Sequence, residues 1–503
     1  MSATPVDRSQ PLSMFPGGFL IGLAALTAII GLLIAVRGFL PLATLTGAAL
    51  IIGLLARPRV ATLLFMTALY LNLPVIASTL YGVPPLLAAG FVSLLGIPFA
   101  GYLLRGSAIR TPPAFTLMIG LLGTALLSAL QSRDPSLGID WIGVYAGEGL
   151  LLVFLTVNVV RTRRTVTRTM WALVLAGGFL GGLSLFQDAT NSFDTDFGGL
   201  AQITGEGFTV DADPLGEAVR QQRLSGPIGE QNRYAQTLLV LLPLAVALMR
   251  IERRRAMQAL AGVAGGLILV GTLLTFSRGA AIAVAGMIVI GLLLRFLSLK
   301  RVIAIAVIVL AGSVVLAPAY FNRVATLANL VDVVSDGGAE ADGALTGRAA
   351  LNLAAWRTFV EHPVVGVGPN VFAERFSARY ASDTGIRHFG SASSFPAHNL
   401  YLGIAADLGL LGLSMFFGIV VVTAVGLWRH RRENAADPVP AIIATGWLLA
   451  LSGYLISGMF LHLAYERYYW VLVALASATV LVLREDRPLL LRRLDPGGER
   501  RDS

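Results

Sequence analysis

The sequence predicts an all-α polytopic membrane protein with about fourteen transmembrane helices and a large extracytoplasmic helical cap loop. Two observations support this fold class, and a third excludes several kinds of site. Hydrophobic residues make up 55% of the 503-residue chain and charged residues only 13%, about half the share usual in soluble proteins. Apolar stretches recur from residue 17 to residue 483, each near the roughly 20 residues that cross a bilayer core. Cysteine is absent, which excludes disulfides, thiolate metal sites and a cysteine nucleophile.

Apolar runs bounded by charged residues predict the spans in chain order. They lie near residues 16–36, 38–56, 60–80, 84–104, 113–130, 141–160, 168–186, 232–249, 257–276, 279–297, 302–319, 398–427, 439–461 and 466–483. We expect residues 1–15 to form a cytoplasmic tail, 16–483 the helix bundle and 484–503 a basic cytoplasmic tail. The first run is predicted to be a retained helix, because no small-residue cleavage site follows a short apolar core.

Arginine clusters predict the orientation, because short cytoplasmic loops retain positive charge. With both termini in the cytoplasm, most basic residues fall on that side, in groups at 57–59, 105–110, 161–168, 250–255, 295–301, 429–432 and from 484 onward. The net charge of +9 is therefore mostly a topology signal. We expect the lipid bilayer, and no nucleic acid, as a partner.

Two predicted outer segments are longer than turns, 187–231 and 320–397. Loops longer than about 15 residues are usually functional or disordered. The first is acidic. The second contains a helical pattern from Gly347 to Glu361 and several aromatic residues, so we predict an ordered cap over the helices.

Arg278 is the first candidate for chemistry, in the run TFSRGA. Two spans meet here with almost no loop, and the predicted topology puts the turn at the outer face. Gly279 suits a tight reversal because glycine adopts positive φ. The alternative is an arginine that extends to the interface, which is common at helix ends.

Arg348 is the second candidate, in TGRAALNLAAW. Thr346 is expected to cap the following helix, which would place Arg348 in the first turn beside unpaired backbone N–H groups. A cation there opposes the helix dipole, and this penalty is reasonable if an anion occupies the site. The alternative is a solvated arginine on a surface helix.

His398 and Asn399 form the third candidate, in FPAHNLYLG. Pro396 suits a first turn, so a span is expected to begin there. The positive helix end would then lower the pKa of His398 and keep its imidazole neutral, as a general base requires. The alternative is an interfacial histidine that hydrogen-bonds a loop. Asp407 lies nine residues on, roughly 13 Å along the axis, and is expected to be structural.

A weaker group contains Arg223, Gly226, Asn232 and Arg233, in RLSGPIGEQNRYAQ. Polar side chains at the start of a span indicate a cavity wall, although helix capping explains Asn232 equally well. Glu148, inside a predicted span, receives no role. Metal-binding and nucleotide-binding motifs are absent from the sequence, so no metal and no cofactor is expected.

These segments resemble the O-antigen ligase/polymerase superfamily. His398-Asn399, nine residues, Gly409, two residues and Gly412 match its H-N-x9-G-x-x-G pattern. TFSRGA, the blocks between residues 347 and 372, and RLSGPIGEQNRYAQ are similar to its other recurring blocks. The resemblance covers about residues 220–427. Asp407 departs from it, since many members carry glutamate there, and about fourteen spans exceed the twelve usual for the ligases.

The resemblance implies glycosyl transfer at the outer face of the cytoplasmic (inner) membrane, for surface polysaccharide such as lipopolysaccharide or exopolysaccharide. The donor would be a glycan on undecaprenyl diphosphate, and the acceptor a hydroxyl of a glycan, of lipid A-core or of a protein. Transfer would be metal-independent and inverting. His398, Arg278 and Arg348 would be catalytic, and Arg223, Asn232 and Asn399 would bind substrate.

Two other function classes remain open at this point. A membrane transporter for solutes or anions would place its ionisable residues at the bilayer midplane, whereas the candidates here gather at one interface. A peptidoglycan-type glycan polymerase would depend on an essential outer carboxylate, and no carboxylate stands in such a motif as clearly as His398. The sequence does not separate ligase, polymerase and protein O-glycosyltransferase.

Overall fold

The computed structural model describes residues 57–84, 90–203, 208–210, 219–304, 306–307, 343–377, 395–433, 437–462 and 467–494. Its α-helices are α1 Pro58–Tyr70, α2 Leu73–Thr79, α3 Ser93–Leu104, α4 Pro113–Gln131, α5 Pro135–Val144, α6 Leu152–Val159, α7 Arg163–Ala189, α8 Gln231–Leu239, α9 Leu242–Ile251, α10 Arg255–Leu273, α11 Arg278–Leu293, α12 Gly343–Glu361, α13 Leu400–Glu433, α14 Pro438–Gly458 and α15 Arg467–Leu494. A 3₁₀ turn precedes α3 at Gly90–Val92, and π-helical turns lie at Tyr145–Leu151 and Phe372–Phe376.

Among the described residues, eight helical stretches are long and apolar enough to cross a membrane, and nine if the bent pair α1–α2 is one span. Two shorter apolar helices, Gly90–Leu104 and Arg278–Leu293, lie at predicted spans. The helical membrane fold is therefore confirmed. The predicted spans at 16–36 and 38–56 lie outside the described residues, as does most of 302–319, and the total of about fourteen stays a prediction.

The helices pack closely where small residues face each other. A Cβ on Gly181 of α7 would lie 2.1 Å from the Leu267 carbonyl oxygen of α10, and one on Gly271 would lie 2.7 Å from the Gly181 Cα. Small residues let helix backbones approach, which is the usual source of helix association in membranes. Large side chains fill the remaining core, including the fully buried Trp171, Trp447 and Trp470.

Contacts between loops divide the bundle into two ends. At one, which we call the basic end, Arg110 pairs with Glu485, Arg163 Nη2 lies 2.6 Å from Asp437 Oδ2, and Arg431 Nη2 donates to the Leu294 carbonyl at 2.6 Å. All three arginines belong to predicted cytoplasmic loops. The grouping agrees with the predicted alternation of loops, while the assignment of this end to the cytoplasm stays a prediction.

The opposite end, which we call the cap end, carries α12 and the predicted outer segment 187–231. That segment contains a feature the sequence did not predict, a short antiparallel ribbon of β1 Phe208–Val210 and β2 Val219–Gln221. Just inside this end, Glu148 is paired with Arg467, whose Nη1 lies 3.1 Å from its Oε1. Arg467 Nη2 also donates to Asn72 Oδ1 at 3.0 Å, so the carboxylate of this span has a cationic partner.

Helix α13 is broken at Gly409, where φ is 64° and ψ is −161°. The turn after α12 packs into this break: Val367 N donates to the Ala406 carbonyl at 3.1 Å, and Leu410 N donates to the Pro363 carbonyl at 2.8 Å. A Cβ on Gly409 would lie 2.4 Å from the carbonyl carbon of Val364. The first glycine of the H-N-x9-G-x-x-G pattern is therefore required because two backbones cross there.

The break lies near one edge of the membrane. The apolar part of α13, Leu400–Arg432, has 33 residues, about 50 Å of helix, whereas a bilayer core is about 30 Å thick. Counting back roughly 20 residues from Arg429 places the edge of the hydrocarbon near Gly409. The first two turns of α13 therefore rise above the hydrocarbon and support the cap.

Candidate active site at the base of the cap

The turn before Arg278 is tight, but it is built differently from the expectation. Helix α10 ends at Leu273, Phe276 takes the left-handed conformation with φ 51°, and Ser277 caps α11 by accepting from Ala280 N at 3.4 Å. Gly279 does not have positive φ, so its predicted role in the reversal is wrong. A Cβ at Gly279 would lie 3.1 Å from Phe460 Cβ, so Gly279 packs closely against the loop after α14.

The segment that carries Arg223 lies along this turn. Arg223 Nε donates to the Thr275 carbonyl at 3.0 Å, and its Nη2 donates to Asn232 Oδ1 at 3.2 Å. Glu230, and not Asn232, caps α8, accepting from the backbone N–H of Asn232 at 3.0 Å and of Arg233 at 2.7 Å. The capping interpretation of Asn232 is therefore wrong by two residues. Asn232 instead connects Arg223 to the cap of α8.

Asn399 begins α13. Its Oδ1 accepts from Tyr401 N at 3.0 Å and Leu402 N at 3.1 Å, and its Nδ2 donates to the Met459 carbonyl at 3.2 Å. The expectation that the helix begins at Pro396 is therefore wrong by four residues, and His398 lies just before the helix instead of in its first turn. The Asn399 amide caps the helix and ties His398 to the loop after α14.

His398 is surrounded by groups that keep its imidazole neutral. Its ring meets the ring of His462 at a centroid distance of 5.6 Å and an angle of 79°. Burial and, to a smaller extent, the charges of Arg348 and Arg233 lower the pKa of His398 to about 4, while Glu230 opposes them. The expected direction of the shift is confirmed, but its main cause is desolvation, which disfavours the charged ring.

Arg348 reaches the site from the cap. Helix α12 begins at Gly343, so Arg348 lies in its second turn, and the expected position beside unpaired N–H groups is wrong. Ala354 and Ala355 of the same helix pack on Ala397 and Ala406. This contact holds α12 against the start of α13, close enough for the charge of Arg348 to act on His398.

Asp407 is structural, as expected. It is only 6% exposed, and its carboxylate accepts from Asn370 N at 3.1 Å and Phe372 N at 3.0 Å. These bonds hold the turn that follows α12, and they occupy both oxygens with backbone donors. Asp407 is therefore a clamp for the cap and not a partner of His398.

The contacts of the predicted residues link them in pairs, and their meeting in one pocket stays a prediction. Arg348 and His398 share one electrostatic environment. Gly279, the neighbour of Arg278, packs on Phe460, and Arg223 donates to the carbonyl of Thr275 in the turn before Arg278.

Sequence reasoning missed His462, whose Nε2 lies 2.5 Å from Nη2 of Arg233. The available signal was a histidine at the predicted outer end of a membrane span. It was overlooked because no motif marks it. Within the described part of the chain, no three histidine or acidic side chains gather as metal ligands, and metal independence stays a prediction.

Residues 263–417 match the family model described as O-antigen ligase. This part of the chain is an O-antigen ligase domain. The resemblance seen in the sequence is confirmed, and the matched segment contains Arg278, Arg348, His398 and the break in α13. Arg223, Asn232, Arg233 and His462 lie outside the matched segment. No curated protein sequence matches the chain.

Proposed function

We propose that the chain transfers or polymerises a glycan from an undecaprenyl-diphosphate carrier onto an acceptor hydroxyl at the outer face of the cytoplasmic membrane, without metal and with inversion at the anomeric carbon. The observation that carries this proposal is a neutral histidine, His398, beside the cation Arg348, in an O-antigen ligase domain at the end of a helix bundle. Both termini would lie in the cytoplasm, with the cap end outside.

In this reaction His398 accepts the proton of the acceptor hydroxyl. The hydroxyl oxygen attacks the anomeric carbon from the face opposite the carrier. The bond between that carbon and the diphosphate oxygen breaks, and undecaprenyl diphosphate leaves with the electron pair. A positioned general base typically contributes about 10²- to 10⁴-fold to such a step.

The arginines serve the leaving group. Negative charge grows on the diphosphate as the bond breaks, and the planar guanidinium matches phosphate oxygens in pairs. Arg278 begins α11, on the membrane side where the polyprenyl tail lies, and Arg348 approaches from the cap. Arg223 and Asn232 would bind the glycan or the diphosphate, while Asn399 acts through its bonds to the helix start and Met459.

Donor binding also activates the base. In the free site burial and, to a smaller extent, the cations Arg348 and Arg233 hold the pKa of His398 low, which keeps the ring unprotonated but weakly basic. The diphosphate brings negative charge to these cations. Its arrival raises the pKa of His398 toward neutrality, where a base is most effective. Binding of the correct donor is thereby coupled to proton transfer.

The position of the candidate residues favours an enzyme over a transporter. Transport sites commonly lie at the bilayer midplane, whereas His398 lies about 16 Å of helix rise beyond the break that marks the hydrocarbon edge. The site is covered by α12, as suits a reaction that must limit hydrolysis.

The decisive experiment compares His398→Gln with His362→Ala in a deletion strain and in reconstituted membranes. His362 lies in the cap against Phe376, with ring centroids 6.1 Å apart, and is the matched histidine control. We expect His398→Gln to abolish mature glycan and to accumulate carrier-linked precursor, and His362→Ala to restore the native pattern. Unchanged gel ladders in His398→Gln would refute the proposal.

The glycan that remains in the deletion strain identifies the reaction subtype. Attached material that is shortened to one repeat unit means a polymerase. Loss of attachment to lipid A-core, with carrier-linked polymer retained, means a ligase. If a protein loses its glycan instead, the acceptor is a protein hydroxyl.

A further inference from the structure

His462 is held by Arg233 in one tautomer. The loop after α14 brings its Nε2 to 2.5 Å from Arg233 Nη2. A guanidinium only donates hydrogen bonds, so Nε2 is the acceptor and the ring proton lies on Nδ1. Burial and, to a smaller extent, the charges of Arg233 and His398 lower the pKa of His462 to about 3. The ring is therefore neutral, and its basic nitrogen is already occupied.

Because this nitrogen is occupied, His462 and His398 differ in what they can do chemically. His462 has no lone pair to offer a substrate hydroxyl, whereas His398 is not bonded to an arginine. Among the described residues no hydrogen-bond partner contacts Nδ1 of His398. In many histidine bases a carboxylate orients the ring, but Asp407 is committed to the backbone of Asn370 and Phe372. Another group must fix the ring plane of His398.

The ring of His462 is in the position to do this. The two imidazoles meet at 5.6 Å and 79°, the edge-to-face arrangement that aromatic rings prefer. Asn399 anchors the same loop through the Met459 carbonyl at 3.2 Å. The ring plane of His398 is therefore set from one side by a ring that Arg233 holds in place.

We propose that His462, anchored by Arg233, is the positioning residue that orients His398 for proton transfer. This inference rests on the proposed role of His398 as the base. Among the described residues, the charged or titratable groups that face His398 are Arg348 from α12, Glu230 at the cap of α8, Arg233 from α8, and His462 from the loop after α14. His462 acts through the plane and hydration of its neighbour and does not touch the reacting atoms.

The test uses the full-length protein in lipid nanodiscs with a lipid-linked glycan donor. His462→Ala should lower kcat by about 30-fold, a fraction of the 10²- to 10⁴-fold that a general base supplies, with KM changed less than about threefold. Water that enters the vacated space should also move the acid limb of the kcat/KM profile upward from near pH 4. His462→Phe keeps an aromatic ring and should recover about tenfold of the loss.

Three results would overturn the inference. One is His462→Ala with wild-type kcat and an unmoved acid limb. Another is a kcat of His462→Phe that is as low as that of His462→Ala, with the acid limb of the kcat/KM profile unmoved in both variants. That result would indicate a structural role only. The third is a double variant, His398→Gln with His462→Ala, in which the two losses of kcat are additive. If His462 acts through His398, adding His462→Ala to His398→Gln should lower kcat by less than about twofold, because the base is already gone. His362→Ala is the control and should change neither kcat nor the limb.

The outcomes distinguish this inference from the proposed function. If His398→Gln keeps wild-type transfer, the proposed function fails. If His398→Gln is inactive while His462→Ala behaves as the wild type, only the positioning role fails. Elution of each variant as a single symmetric species in size-exclusion chromatography identifies the folded samples, and His462→Phe preserves the bulk of the ring if the alanine variant does not fold.

Discussion

The environment of His398 is determined by residues from three separate parts of the chain. Burial accounts for the largest part of its lowered pKa, Arg348 and Arg233 add to it, and Glu230 opposes it. A single cation would hold the ring neutral without holding it in one orientation. Two cations, one carboxylate and a second ring surround this one imidazole, and under the proposed function they would control both its charge and its orientation.

Arg278→Lys should be nearly as damaging as Arg278→Ala. Lysine keeps the charge but loses the planar pair of donors that fits a diphosphate, and removal of one such donor typically costs about 3–4 kcal/mol of barrier. The measurement is kcat/KM with lipid-linked donor. Arg375→Lys is the control, because Arg375 is 62% exposed and pairs with Asp134 at 2.6 Å on the surface. Wild-type turnover in Arg278→Lys would contradict this assignment.

The pH profiles of kcat/KM and kcat should fall at different pH values on the acid side. An imidazole below its pKa is protonated and accepts no proton, so kcat/KM, which reports the free enzyme, should fall only as pH drops through about 4. The kcat profile reports the donor complex, in which diphosphate charge offsets the arginines. Its limb should therefore lie at higher pH. Coincident limbs would show that the donor does not alter the base.

At the scale of elements, the break in α13 and the turn after α12 form one unit. The turn supplies backbone donors and acceptors that the broken helix lacks, as at Val367–Ala406 and Leu410–Pro363. Ser128 Oγ lies 3.0 Å from the Asp407 carbonyl oxygen, adding a third partner from α4. The cap is therefore joined to the membrane helix by hydrogen bonds and not only by apolar contact.

Replacing either glycine at this crossing should destabilise the protein strongly. Gly409→Ala and Gly366→Ala each place a Cβ 2.3–2.4 Å from backbone atoms of the other segment, at φ of +64° and +70°. We expect each to destabilise the protein by more than about 3 kcal/mol and to lower transfer strongly. Gly403→Ala is the matched control in the same helix, since its Cβ would meet nothing within 4 Å. Thermal unfolding in detergent measures the difference, and equal midpoints for all three variants would refute the crossing.

The sequence predicted the helices and the family resemblance well, because apolar periodicity and recurring blocks are local properties. It failed where partners come from elsewhere. Phe276, and not Gly279, takes the left-handed turn, since Gly279 is reserved for contact with Phe460. The start of α13 was misplaced because Asn399 caps it more effectively than Pro396. His462 went unnoticed because its importance depends on Arg233, 229 positions away, a relation that no local pattern contains.

At the scale of the whole molecule, the loops form two chemically distinct ends. The basic end joins arginine-rich loops to acidic and carbonyl partners, as in Arg163–Asp437. The cap end collects the candidate site. Under the proposed function, such a division would place an anionic lipid-linked substrate and the arginines proposed to bind it on one side of the membrane, and the remaining cations would hold the topology.

Orientation can be tested by single-cysteine labelling without background, because the chain contains no cysteine. Asp194→Cys at the cap end and Ala256→Cys at the basic end introduce thiols at exposed positions. A membrane-impermeant maleimide on intact cells should label Asp194→Cys, and Ala256→Cys should react only after permeabilisation. The reverse pattern would invert the topology and would place the site in the cytoplasm.

The interlocked glycines at 366 and 409 have a consequence for protein engineering. Each segment is shaped to fit the other at distances where no side chain is tolerated. Suppose that a chimera received only the cap from a related chain, with the aim of changing the acceptor range. It would combine the other protein's turn after α12 with this protein's break in α13. Exchanges should therefore move 363–371 together with 406–411 as a single cassette.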